Sequence, residues 1–206
     1  MKIVFDFGGV LFSWHPVAML QREIPHVAHN AAEGVHWVAQ IFQGYTGDWG
    51  DFDRGAVQIP ELVQRIARRT GLAEADVQTV VEGVPRELQP IPESVTLLRE
   101  LHAAGHQLYF LSNMPAPIAD HLQSSNDFMN CFIDGVFSGR VGHNKPEQAI
   151  FELAAQRFGA ATPHDLLFLD DHAPNVQAAQ ALGWQALQFT NAAQARALLH
   201  ERALVV

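Results

Sequence analysis

The second half of the chain alternates short apolar segments with amphipathic ones, and this alternation limits the folds that the chain can adopt. Strands are predicted at residues 106–111, 133–137, 166–169 and 184–189. Helices are predicted between and around them, at 92–104, 116–125, 146–158, 173–182 and 191–202. With a further apolar strand at residues 2–6, this order is typical of strands that pair in parallel through right-handed helical crossovers. We therefore expect an α/β fold with a doubly wound parallel sheet.

A different pattern occupies residues 16–88, which are helical in character and contain no convincing strand. Helices are predicted at 16–29, 33–43, 59–70 and 74–83. The Gly- and aromatic-rich stretch 44–55 is predicted to be a substrate-gating loop, with hinges near 13–16 and 85–91. We expect residues 1–14 and 89–206 to form the α/β core, and residues 15–88 to form a helical insertion over the carboxyl edge of the sheet.

Composition and charge restrict the partners of this chain. Only 13 of the 206 residues are basic and the net charge is −9, which argues against binding to nucleic acid. No apolar run approaches the roughly 20 residues of a membrane helix, and no signal peptide is expected. The single cysteine, Cys131, excludes an intrachain disulfide and fits a reducing compartment. We therefore expect a cytoplasmic protein without a membrane partner, either a monomer or a weak homodimer.

The first predicted strand ends in a carboxylate. Ile3-Val4-Phe5 leads into Asp6, followed by Gly8 and Gly9. Parallel strands deliver side chains to the carboxyl edge of a sheet, where ligand sites form, and glycines let backbone N–H groups approach an anion. The same residues would also suit an ordinary tight turn with a solvated Asp.

Three later segments place polar residues in comparable positions. Ser112-Asn113 follows the second strand of the chain, Asp170-Asp171 follows the strand at 166–169, and Lys145 precedes a proline that opens a predicted helix. Taken singly, these residues also suit helix N-caps or a surface lysine. However, Lys145 is one of only two lysines in the chain, which makes its position informative.

In this order, the phrases FDFGGVLFSW, LSNMP, NKP and FLDDHAPN resemble the motifs of the haloacid dehalogenase-like hydrolase superfamily. The resemblance covers essentially the whole chain. It implies a Rossmannoid core, and the insertion resembles the helical cap of the first cap class. The phrases look closest to those of sugar-phosphate phosphatases and of the phosphatase domain of soluble epoxide hydrolases. A small phosphomonoester, such as a sugar phosphate, is the substrate that this resemblance implies.

Phosphoryl transfer gives each of these residues a chemical role. Asp6 suits the nucleophile, and Lys145 would offset the charge of both Asp6 and the phosphate. Asp6, Asp171 and the Gly8 carbonyl would hold Mg²⁺ through oxygen ligands. Hydrogen-bond donors to the phosphate are expected from Ser112, Asn113 and Gly9. By analogy with the superfamily, Asp170 would support the metal site or orient Lys145, and Asn175 would fix the loop.

Position 8 departs from the superfamily pattern. Phosphatases of this superfamily usually carry a second Asp there, which protonates the leaving alcohol, whereas this chain has Gly8. Losing a positioned general acid costs roughly 10²–10⁴-fold in rate. Another group could transfer the proton instead, either a water molecule or one of the side chains of His15, Asp53 and His172. Alternatively, a sugar 1-phosphate, whose anomeric hydroxyl is comparatively acidic, would depend less on such a group.

Two other functions are compatible with the sequence. A 2-haloacid dehalogenase would use Asp6 as its nucleophile without a metal, and it needs no acid because halide leaves unaided. The paired Asp170-Asp171 does not suit that chemistry. A non-catalytic module that binds a phosphate ester is the third possibility, and the joint presence of Asp6, Lys145 and Asp171 argues against it.

Specificity is expected to come from the insertion and its entry. Trp14 and His15 lie where the chain leaves the core, and Trp49 and Arg54 lie in the stretch 44–55. Aromatic rings beside polar groups would suit the face of a sugar, although each tryptophan would equally suit the small core of the insertion. The sequence names neither the substrate nor the group that replaces an acid at Gly8.

Overall fold

The computed structural model describes residues 1–202 and residue 204. Five parallel strands form one sheet in the order β3-β2-β1-β4-β5. Their bounds are β1 Lys2–Phe5, β2 Gln107–Ser112, β3 Asp134–Phe137, β4 Leu166–Asp170 and β5 Gln185–Gln188. The predicted α/β fold with a parallel sheet is therefore confirmed.

Six helices in the second half of the chain alternate with strands β2–β5. They are α6 Pro92–Ala103, α7 Ala116–Ser125, α8 Ser138–Val141, α9 Gln148–Arg157, α10 Ala173–Ala181 and α11 Ala192–Glu201. Alternate residues of β1 point to opposite faces, and both faces are buried. Ile3 and Phe5 belong to one apolar cluster, whereas Val4 belongs to a second one with Phe168 of β4. Burial on both faces explains why the central strands β1 and β4 are almost entirely apolar.

Five helices lie between β1 and α6 in the chain: α1 Pro16–Glu23, α2 Ala31–Phe42, α3 Gly47–Asp53, α4 Ile59–Thr70 and α5 Glu74–Glu87. Helix α4 buries Leu62, Val63 and Ile66, which recur at helical spacing. These side chains belong to the same apolar cluster as Ile3 and Phe5 of the sheet. The inserted helices therefore share a continuous core with one face of the sheet.

The structure differs from the prediction in the stretch 44–55. A short 3₁₀ turn, Gln43–Tyr45, is followed by helix α3, so the prediction of a loop there was wrong. Trp49 and Phe52, three residues apart, are both buried and hold one face of α3 in the apolar cluster. Of the glycines that suggested a loop, Gly44 precedes the helix with φ +61°, Gly47 and Gly50 lie within it, and Gly55 follows it with φ +79°.

Several predicted helix ends also differ. Helix α1 ends at Glu23 rather than at residue 29, and α5 continues through Pro85 to Glu87. Helix α9 begins at Gln148, so Lys145 lies in a turn before the helix rather than directly at its start. The segment predicted as a hinge at 85–91 is thus partly helical.

Backbone hydrogen bonds pair the two connections between the inserted helices and the sheet. The Ser13 N–H donates to the Gln89 carbonyl, and the Ile91 N–H donates to the Leu11 carbonyl. Within the part of the chain that the structure describes, no helix is both long enough and apolar enough to cross a membrane.

Candidate active site

The polar strand ends meet at the carboxyl edge of the sheet. Strand β1 lies between β2 and β4, so Asp6, directly after β1, stands between the ends of these two strands. Its N–H donates to the Leu169 carbonyl at 2.9 Å. Carboxylate oxygens of Asp6, Asp170 and Asp171 lie within 4.8 Å of one another. Parallel pairing therefore gathers three acids that are far apart in the sequence.

Lys145 is the cation of this cluster. Its Nζ lies 2.6 Å from Asp170 Oδ2 and 2.8 Å from Asp6 Oδ1, and its side chain is 1% exposed. The contact with Asp6 is an ion pair. Burial opposes the charge of Lys145, but the attraction of Asp170 and Asp6 prevails and raises the pKa of Lys145 above its usual value.

Asp170 is enclosed by donors. Oδ1 accepts from the His172 N–H at 2.8 Å, and Oδ2 accepts from Lys145. The Asn175 side-chain amide lies 3.2 Å from Oδ1 and 3.1 Å from Oδ2. Both oxygens of the fully buried Asp170 are therefore engaged by the protein, whereas the Asp171 side chain opens on the cavity.

The acidic cluster holds more negative charge than Lys145 offsets. Burial, and then repulsion by Asp170 and Asp171, raises the pKa of Asp6 to about 7 against the opposing effect of Lys145. Burial and repulsion by Asp170 also raise the pKa of Asp171. A hard divalent cation held by carboxylate oxygens would relieve this repulsion. The carboxylates of Asp6 and Asp171, which both line the cavity, are oxygen ligands of the kind that Mg²⁺ takes.

A compact turn follows Asp6. Gly9 has φ +72°, and a Cβ there would lie 2.3 Å from Asp171 Oδ2, so position 9 needs glycine for both conformation and space. The Gly9 N–H, expected to donate to phosphate, donates instead to the Phe12 carbonyl at 2.8 Å. At Gly8, by contrast, a Cβ would meet only Trp14 Cβ at 4.0 Å, and Gly8 lines the cavity.

Asn113 holds the backbone of Lys145. Its side-chain Nδ2 donates to the Lys145 carbonyl at 2.9 Å, and its Oδ1 accepts from the Lys145 N–H at 2.7 Å. The side-chain amide is therefore engaged with the protein, and a contact of Asn113 with phosphate would use its backbone N–H. Ser112, at the end of β2, is buried and lines the same cavity.

A cavity of about 320 Å³ opens above the acids. The predicted site residues Asp6, Gly8, Ser112, Asn113, Lys145 and Asp171 line it, as do Trp14 and Trp49. The rest of its wall is largely apolar, with Val84, Leu88, Met114 and Ile118. The Trp14 Nε1 donates to the Tyr45 hydroxyl at 2.6 Å, and Trp49 packs against Phe42 in the core of the insertion. Each tryptophan therefore both lines the cavity and packs the insertion.

Two residues expected at the substrate lie elsewhere. Among the described residues that line the cavity, neither His15 nor Arg54 occurs. His15 is exposed, and its backbone N–H donates to Glu87 Oε1. Arg54 is drawn to Glu147 of the α/β core, with Nη2 2.8 Å from Oε1. The apolar residues of α5 and α7 in the wall were not found from the sequence, because nothing local distinguishes them from ordinary core positions.

A family model of the haloacid dehalogenase-like hydrolases matches residues 3–183, and the chain belongs to this family. Among curated relatives, a sesquiterpene phosphatase of Aspergillus oryzae is 28% identical over 91% of this chain and 89% of its own length. A phosphoglycolate phosphatase of Salmonella paratyphi A is 33% identical over 48% of this chain and 39% of its own length. The phosphatase class of hydrolase is therefore supported by relatives as well as by the site.

Solved structures share the fold. A family enzyme of Bacteroides thetaiotaomicron in complex with magnesium and inorganic phosphate superposes with a TM-score of 0.70, at 20% identity over 90% of this chain and 92% of its own. The L-2-haloacid dehalogenase of Xanthobacter autotrophicus superposes with a TM-score of 0.68, at 20% identity over 96% of this chain and 82% of its own. At these identities the likeness concerns the fold alone.

Proposed function

We propose that this protein is a Mg²⁺-dependent phosphatase that hydrolyses a small phosphomonoester through an aspartyl-phosphate on Asp6. The observation that carries the proposal is the cluster of buried Asp6 and Asp170 with exposed Asp171 around Lys145 at a cavity. Asp6 lines this cavity, and its Oδ1 forms an ion pair with Lys145. One carboxylate oxygen of Asp6 would attack phosphorus in line with the leaving alcohol.

In this proposal, Asp6, Asp171 and the Gly8 carbonyl hold Mg²⁺, and Asp170 acts indirectly. Since Lys145, Asn175 and the His172 N–H occupy the oxygens of Asp170, this residue positions Lys145 rather than ligating the metal. The bound metal would supply charge that lets a phosphate dianion approach the carboxylates. The resemblance of the chain to magnesium-dependent phosphatases supports the same assignment.

The phosphate would be held by the groups that ring Asp6. Lys145 contributes a buried positive charge, fixed by Asp170 on one side and by Asn113 along its backbone. Ser112 contributes its hydroxyl and Asn113 its backbone N–H. Such preorganised donors stabilise charge on the transferring phosphoryl group at little cost of reorganisation.

The leaving alcohol would occupy the upper cavity. The resemblance predicts a sugar phosphate, with a sugar 1-phosphate as the sharper hypothesis because its hydroxyl leaves more easily. The apolar wall of Val84, Leu88, Met114 and Ile118 favours a second candidate, the phosphate ester of an alcohol with an apolar body. The likeness to a sesquiterpene phosphatase points in the same direction.

The dehalogenase alternative fits the site less well. A 2-haloacid is itself a carboxylate, and without a metal it would approach a cluster whose three acids are offset by one lysine. Like charges at this distance disfavour binding. The cluster therefore favours phosphate-ester hydrolysis with a cation over halide displacement without one.

The test is an assay of phosphate release from a panel containing sugar 1-phosphates, sugar 6-phosphates and phosphates of apolar alcohols, with Mg²⁺ and with EDTA. We expect hydrolysis that EDTA abolishes and that is lost in Asp6→Asn. Ser124→Ala, an exposed hydroxyl of α7, serves as the matched surface control. Halide release from a 2-haloacid without Mg²⁺, and no phosphate release from any ester, would contradict the proposal.

A further inference from the structure

A leaving alkoxide needs a proton, and position 8 carries no side chain that could give one. Of the described residues that line the cavity, the acids are Asp6, Asp53 and Asp171. Asp6 and Asp171 belong to the cluster of acids on the cavity floor. Asp53 comes from α3 and is not a member of that cluster.

We infer that Asp53, supplied by the inserted helices, is the catalytic acid and base of the reaction proposed for Asp6. This inference rests on the proposed function and adds to it the group that handles the proton. Asp53 is buried, with 4% of its surface exposed, yet its side chain lines the cavity that holds the nucleophile. A carboxyl in this position is shielded from bulk water and would face the space that the leaving alcohol occupies in the proposed function.

Helix α3 is fixed to the α/β core by hydrogen bonds at Gly50 and at Asp53 itself. The Asn144 side-chain amide donates to the Gly50 carbonyl at 2.8 Å, and Ser138 Oγ donates to the Asp53 carbonyl at 2.5 Å. Ser138 Oγ also accepts from the Met114 N–H, close to Ser112 and Asn113. The backbone of Asp53 is therefore connected directly to the phosphate end of the site, which sets the position of its carboxyl.

Packing after α3 is equally tight. A Cβ at Gly55 would lie 2.6 Å from the Gly139 carbonyl oxygen, so the chain passes the core at a distance that only glycine allows. Arg54 adds its ion pair with Glu147. The backbone at and after Asp53 is thus packed closely against the core.

The surroundings of Asp53 favour the protonated carboxyl. Burial raises the pKa of Asp53 to about 8, against opposing effects of a Trp49 hydrogen bond and of the charges of Arg54 and Lys145. The other titratable groups of the described cavity wall are Asp6, Tyr45, Asp171 and His172. A carboxyl that carries its proton at neutral pH is ready to act as an acid.

The proton balance closes over two steps. When Asp6 attacks phosphorus, the P–O bond to the alcohol breaks and Asp53 gives its proton to the leaving oxygen, which releases the free alcohol. The Asp53 carboxylate then takes a proton from water as that water attacks the aspartyl-phosphate. The P–O bond to Asp6 breaks, inorganic phosphate leaves, and Asp6 and Asp53 return to their starting forms.

Two other groups compete for this role. His172 is exposed and lies beside Asp171. The Tyr45 hydroxyl accepts a hydrogen bond from Trp14, and burial raises the pKa of this phenol above its usual value, so it is a weak acid at neutral pH. Asp53 is both more acidic than Tyr45 and better enclosed than His172.

The experiment compares two kinds of leaving group in Asp53→Asn. The substrates are p-nitrophenyl phosphate, whose phenolate leaves without a proton, and the best alkyl phosphate of the panel. We expect kcat/KM to fall by roughly 10²–10⁴-fold for the alkyl ester and by less than about tenfold for the aryl ester. Asp51→Asn, an exposed carboxylate on the same helix, is the matched control and should retain both activities.

The outcomes separate the inference from the proposed function. Equal losses for both esters in folded Asp53→Asn, or no loss for either, would overturn the role of Asp53 while phosphatase activity stands. An alkyl-selective loss in Tyr45→Phe or His172→Gln, with Asp53→Asn unaffected, would transfer the role to that residue. No hydrolysis of either ester by the unmodified protein would overturn the proposed function itself.

Discussion

Replacing Gly9 by Ala tests how closely the turn after Asp6 is fitted to the metal site. A Cβ at position 9 would lie 2.3 Å from Asp171 Oδ2, whereas ordinary contacts of this kind begin at 3.4 Å. The Asp171 carboxylate would therefore have to withdraw by about 1.1 Å. Misplacing a catalytic group by about 1 Å costs on the order of 10²-fold in rate. The left-handed φ of +72° adds about 1–2 kcal/mol of backbone strain.

Gly71→Ala provides the matched control. Gly71 ends helix α4 with φ +79°, and a Cβ there would meet no atom within 4 Å. Backbone strain alone should lower the free energy of unfolding of both variants by about 1–2 kcal/mol, because both force alanine into a left-handed conformation. Only Gly9→Ala should lose activity, since only its methyl group displaces Asp171.

The assay measures kcat/KM for the best substrate at several Mg²⁺ concentrations, with denaturant unfolding in parallel. We expect Gly9→Ala to lose about 100-fold in kcat/KM and to need more Mg²⁺ for half-maximal rate. Gly71→Ala should keep the rate and the Mg²⁺ requirement of the unmodified protein. Full activity in Gly9→Ala, or an equal loss in both variants, would refute the reasoning that the methyl group acts through Asp171.

Three further results are expected. Mg²⁺ should raise the melting temperature of the unmodified protein but not that of Asp171→Asn. The reason is that the cation offsets the repulsion that raises the pKa values of Asp6 and Asp171. Thermal melts with Mg²⁺ and with EDTA check this. Asn113→Ala should lose at least about tenfold in kcat and about 1–3 kcal/mol in the free energy of unfolding, because it removes both hydrogen bonds to the Lys145 backbone. Steady-state kinetics measures the first loss and urea unfolding the second. Between pH 4 and 8 folded Asp53 keeps a proton that the unfolded chain releases, so stability falls as pH rises through this window. The melting temperature of Asp53→Asn should therefore increase relative to that of the unmodified protein as pH rises. A difference between the two melting temperatures that stays constant with pH would contradict this.

Much of the fold was predictable because the signals are local. Strands buried on both faces require apolar runs, and the carboxyl ends of parallel strands meet at one edge. Asp6, Ser112 and Asp170 could therefore be placed together from the positions at which β1, β2 and β4 end. The same local reasoning gave a wrong prediction for the stretch 44–55. Its glycines disfavour a helix, but the burial of Trp49 and Phe52 stabilises one.

The sequence by itself determined which chemical groups reach the sheet edge, because the order of strands and turns is written in local patterns. Only the tertiary structure decided what each group does there. Asn113 pairs with the Lys145 backbone 32 residues away, and Asp53 enters the cavity while its neighbour Arg54 turns to Glu147. These contacts depend on how the inserted helices pack on the core, and adjacent residues of α3 point in different directions for that reason alone.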